Sequence, residues 1–159
     1  MKIVADSSPL IAFAILNQLN LLSRIFSEIF IPQTVYDEVS KWSKPHSQKL
    51  KKFSKNKVQT IQNQIAVQLL RKDVDLGEAE AIVLALESNI ENILIDDTKA
   101  RKIAQAQGLL PIGSIGVLLQ AKKSGLIEIV KPSLDKLIAN RIRIRKTLYN
   151  KALDLAGEK

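Results

Sequence analysis

Short apolar segments alternating with segments of helix length predict an α/β fold around a parallel sheet. Two observations carry that prediction. From Gly77 onward the alternation is regular, with brief apolar runs such as NILI (92–95) and LLPI (109–112) between helical stretches. Glycines also stand where those helices must stop, at Gly108 and Gly125.

The elements follow in order. Residues 2–5 (KIVA) form a short buried strand. Pro9 to about Gln18 and Leu19 to Phe26 are two consecutive helices; Ser7 or Ser8 caps the first, with Pro9 at its first position. Glu28 to Ile31 is a second strand, ended by Pro32. PQTVYDEVSKW predicts a helix with Val35, Val39 and Trp42 along one stripe. The lysine-rich stretch after it is exposed helix or loop. Val58 to Ile61 is a short strand, and Ile65 to Leu70 fits either helix or strand. Gly77 to Ser88 is a helix, Asn92 to Ile95 a strand, and Thr98 to Gln107 a helix capped by Thr98. Leu109 to Ile112 is a strand, Ser114 to Ser124 a helix, and Ser133 begins a last helix. No repeat, linker or low-complexity stretch interrupts the 159 residues, which read as one domain.

Composition narrows the chemistry. The 46% apolar and 25% charged residues are those of a globular protein. Without cysteine there are no disulfides and no thiolate metal site, which fits a reducing compartment. His46 is the single histidine, so a polyhistidine site is excluded. No signal peptide and no run of about 18 apolar residues is present, so the expected location is the cytoplasm, with no membrane partner. The formal charge of +8 points to a polyanionic partner, with nucleic acid the usual one. Lys41 to Lys57 holds seven lysines and no acid, and Lys136 to Lys151 six basic residues and no acid, including RIRIRK.

The acids fall in a pattern. Ligands of open parallel sheets collect at the carboxyl ends of strands. Asp6 ends the first strand, and Asp96 and Asp97 end ILI, so all three are expected on one edge. On the 35–42 helix, Glu38 lies about 40° from Trp42, at the margin of the apolar stripe, while Asp37 faces solvent. In LGEAEAIVLAL, helical geometry favours Glu78, which flanks the Ile82/Leu86 stripe, over Glu80. Clustered carboxylates repel unless a cation lies between them. With no His or Cys in the set, an all-oxygen site selects Mg²⁺ or Mn²⁺. Such an ion suits phosphoryl transfer, with lysines holding the nucleic-acid backbone.

The segments IVADSSPLI, EVSK, LGEAEAIVLALE and LIDDTKARKIA, in that order and spacing, resemble PIN-domain nucleases such as the VapC toxins. GSIGVLLQAKKSGLI resembles a prokaryotic PIN-like subgroup. The resemblance implies a three-layer α/β/α sandwich, here one domain over 1–159 with a C-terminal helical extension from about residue 133. It implies a site of three or four acids binding Mg²⁺ or Mn²⁺. Carried over, these are Asp6, with Ser7 or Ser8 as polar neighbour; Glu38; a third acid; and Asp96 or Asp97. For the third acid, the family pattern L-x-x-x-D matches Leu76 to Glu80, whereas helical geometry prefers Glu78. The implied function is a metal-dependent ribonuclease, the toxin of a type II toxin–antitoxin pair, with a small antitoxin as partner and a homodimer as assembly. The basic segments are candidate RNA contacts, and Ser8 a residue that orients water or phosphate.

Other readings fit less well. A phosphatase of the haloacid-dehalogenase type needs an aspartate where Ser8 stands. A receiver domain places its acidic pair after the first strand, not a late one. The remaining alternative is a nucleic-acid-binding or regulatory module with little catalysis, which has no need to gather carboxylates that repel.

Overall fold

The computed structural model describes residues 1–159. Five parallel strands form one sheet, in the order β3-β2-β1-β4-β5. They are β1 (Lys2–Ala5), β2 (Glu28–Pro32), β3 (Val58–Gln59), β4 (Asn92–Leu94) and β5 (Leu110–Ile112). Strand β1 is central because both of its faces are apolar. Ile3 and Ala5 enter one core and Val4 the other, the period of two that a pleated strand imposes. Its register sets Val4 beside Phe30 of β2 and Ile93 of β4.

Helices cover both faces, making the three-layer α/β/α sandwich. The larger core lies under α1 (Ser7–Ile15), α2 (Leu19–Ile25), α3 (Gln33–Val39), α4 (Ser47–Ser54) and α8 (Ser114–Lys123). The C-terminal helices α9 (Lys131–Ala139) and α10 (Lys146–Ala156) join the same layer, burying Leu134, Leu137, Ala152 and Leu153. The opposite core lies under α5 (Gln64–Leu70), α6 (Leu76–Glu87) and α7 (Thr98–Ala106). Gly108 and Gly125, at φ of +87° and +75°, end α7 and α8 in the left-handed conformation that glycine adopts at little cost.

Four local expectations are corrected. Helix α1 begins at Ser7 rather than Pro9, and Asp6 rather than a serine occupies its cap position. Helix α3 ends at Val39, so Trp42 leaves the apolar stripe and is 89% exposed. Asp97, not Thr98, caps α7. The single last helix is in fact two, broken where Arg141 takes φ +67°.

A staple fixes the second of these helices. Glu158 accepts the amides of Val130 (2.7 Å) and Lys131 (2.9 Å) and the Lys122 ammonium (2.9 Å). Despite the cost of burying it, these donors hold the Glu158 carboxyl below its ordinary pKa.

Candidate active site at the carboxyl edge of the sheet

Helices α1, α6 and α7 start at the carboxyl edge, and each has aspartate at its cap position: Asp6, Asp75 and Asp97. Aspartate is favoured there because its carboxylate can accept one of the free amides of the first turn. Two of the three do so. Asp97 Oδ2 accepts from Ala100 N at 2.9 Å. Asp75 Oδ1 accepts from Glu78 N at 2.8 Å, and Glu78 Oε1 accepts from Asp75 N at 3.1 Å, completing a capping box.

Asp6 behaves differently. Its side chain makes no cap hydrogen bond, although the residue is only 3% exposed, and Oδ1 is buried with no partner. A buried, unpaired carboxylate is costly, so its charge must be met some other way or be lost. Burial, followed by the charges of Glu78, Asp75 and Glu38, raises its pKa to about 8; the Ser7 amide opposes this only in part. Burial likewise raises Glu78, helped by Asp75, Asp97 and Glu38. These mutual effects place Asp6, Glu38, Asp75, Glu78 and Asp97 in one electrostatic cluster.

The geometry of α6 explains its membership. A Cβ built on Gly77 would lie 3.6 Å from Oδ1 of both Asp6 and Asp75. The first turn of α6 therefore lies close to both aspartates, and Glu78 follows directly. Two residues further round, Glu80 turns to α3, where Oε1 accepts Thr34 N (3.1 Å) and Oε2 the Thr34 hydroxyl (2.7 Å). Asp96 is similarly occupied: Oδ1 accepts Ser114 N at 2.7 Å and Oδ2 the Ser114 hydroxyl at 2.6 Å, at the start of α8. Glu38 is half-buried and Asp37 exposed, bonded to Gln33 Nε2. Ser8 lines the adjoining groove with Asp96 and Asp97.

Sequence reasoning passed over Asp75. The signal was present, since Asp75-Leu-Gly-Glu78 has the spacing of a capping box.

The donor chemistry fits a hard cation: every group is a carboxylate, two are held above their ordinary pKa, and one buried oxygen has no partner. As the side chains stand, no three of them converge closely enough to share an ion.

The chain is thus a three-layer α/β/α sandwich with acids on the carboxyl edge of its sheet and a net charge of +8. A family model described as PIN domain matches residues 2–158, and the chain belongs to the PIN-domain family. Members of that family are generally nucleases acting on nucleic acids and typically use divalent metal ions. No curated protein and no solved structure matches the chain. No helix is long and apolar enough to cross a membrane.

Proposed function

We propose that the protein is a metal-dependent endoribonuclease whose acidic set is Asp6, Glu38, Glu78 and Asp97. The observation that carries this reading is Asp6, buried at a helix start with Oδ1 unpaired among like charges. A bound Mg²⁺ or Mn²⁺ would neutralise these carboxylates, lower the pKa of a water and stabilise charge on the phosphoryl group.

Each side chain has a defined part. Asp6 presents a buried oxygen, Oδ1, that no amide or hydroxyl claims. Glu78 is oriented by its Asp75 partner through one oxygen, leaving Oε2 for the site. Asp97 is oriented through Oδ2 and has Oδ1 to offer. Glu38 faces the same cluster from α3, and Ser8 offers a hydroxyl to water or phosphate beside it. Among the alternatives, Glu78 is preferred to Glu80 and Asp97 to Asp96, because Glu80 and Asp96 already have both oxygens engaged.

On the resemblance to VapC toxins rests the wider reading: residues 1–159 as one catalytic domain, a cytoplasmic toxin restrained by a small antitoxin, working as a homodimer. The test is cleavage of a mixed RNA pool with Mn²⁺ or Mg²⁺ and with EDTA, comparing wild type with Asp6→Asn. Metal-dependent cutting that disappears in the variant supports the enzyme. Equal cutting by both overturns the assignment of Asp6, and binding without cutting by either supports a nucleic-acid-binding module instead.

A further inference from the structure

The RIRIR segment, read in sequence only as basic, has a specific shape. Between α9 and α10 the chain turns at Arg141, in left-handed backbone, and then runs as a strap without helix or strand to Arg145. Ile142 and Ile144 turn inward onto the larger core, and Arg141, Arg143 and Arg145 turn out and are exposed. Alternation keeps the arginines on the outer side and the isoleucines on the inner side. None of the three takes part in an ion pair, so their charge is free for a ligand.

The strap is one wall of a groove of about 570 Å³ whose other wall carries Ser8, Asp97 and Thr98. Its floor is apolar, with Ile11 and Ile115 beside the strap isoleucines. The groove thus shares Ser8 and Asp97 with the proposed site.

We propose that this groove holds single-stranded nucleic acid, with Arg141, Arg143 and Arg145 on successive phosphates and the apolar floor against an unpaired base. The inference rests on the nuclease reading for its choice of ligand. Guanidiniums suit phosphate oxygens because they offer paired donors in a fixed plane. The apolar floor selects the single strand. Only unstacked bases can present a face to such a surface, whereas a duplex hides them and is gripped through phosphates and sugars alone.

The experiment is fluorescence anisotropy of the full chain with a labelled oligouridine strand, and with a labelled RNA duplex of equal length. EDTA is present throughout, so binding is read apart from cleavage. Three variants are compared: Arg141→Gln/Arg143→Gln/Arg145→Gln, the corresponding triple lysine, and Lys51→Gln/Lys52→Gln/Lys55→Gln, on α4 and at its C-terminal cap, as a charge-matched control. The expected result is that wild type prefers the single strand. The glutamine strap variant should lose at least about tenfold in affinity, and the slope of log affinity against log salt should fall by about 2. The lysine strap variant should recover most of the loss, and the α4 variant should lose less than the glutamine strap. Equal losses in the strap and α4 variants would overturn the proposal, as would equal affinity for the duplex. Unchanged binding by the strap variant would also overturn it and leave the groove to a protein partner. Loss of cleavage in Asp6→Asn remains a separate result, so either reading can fail without the other.

Discussion

Asp6 and Glu158 are both carboxylates withdrawn from water, and they have opposite consequences. Glu158 collects three donors, is held below its ordinary pKa and ties α10 to α8 and α9. Asp6 collects no side-chain cap bond, is pushed up to about 8 and faces further acids. One carboxylate is satisfied within the chain and serves stability. The other is left unsatisfied, which costs stability, and under the proposed function a cation from outside the chain completes it. Glu80 and Asp96 belong with Glu158, since both act on the first turn of a neighbouring helix.

Several substitutions would break or sharpen that contrast. The largest effect is expected at Asp6. Changes to residues that merely support a metal ligand commonly cost 10–100-fold in activity, so Asp6→Asn should lower cleavage by at least about 100-fold. The same variant should gain stability in EDTA near pH 8. The folded state holds a proton on Asp6 between pH 3.8 and about 8, where the unfolded state has released it. Stability of the wild type must therefore fall as pH rises through that window. Asp6→Asn should flatten the dependence, measured as melting temperature against pH.

Glu158→Ala should do the reverse. Losing charged hydrogen bonds and stranding the Val130 amide should cost about 2–3 kcal/mol, read by urea denaturation. Cleavage per folded molecule should be unchanged. Of the two α6 glutamates, Glu80→Ala should cost about 1–2 kcal/mol by releasing the α3 terminus while sparing cleavage, and Glu78→Gln should do the opposite. The smallest effect is expected at Trp42, 89% exposed, where alanine should change stability by less than about 0.5 kcal/mol.

The sheet and most of its helices were legible because short apolar runs, glycine stops and apolar stripes are local signals. What escaped depended on packing. Glu78 and Glu80 sit on one helix, and only the position of Thr34 on α3 separates their roles. Asp96 and Asp97 are adjacent, and only the start of α8 distinguishes them. Trp42 left its stripe because the helix ended early, a boundary that periodicity cannot fix. The split of the last helix was written in the sequence, since Arg-Ile-Arg-Ile-Arg alternates with the period of an extended chain.

The most direct test of the central claim is the shift in melting temperature on adding Mn²⁺ at pH 8, for wild type, Asp6→Asn and Glu80→Gln. If the unpaired carboxylate of Asp6 is completed by a cation, wild type and Glu80→Gln will be stabilised and Asp6→Asn will not. An equal shift in all three would place the metal elsewhere and contradict the account.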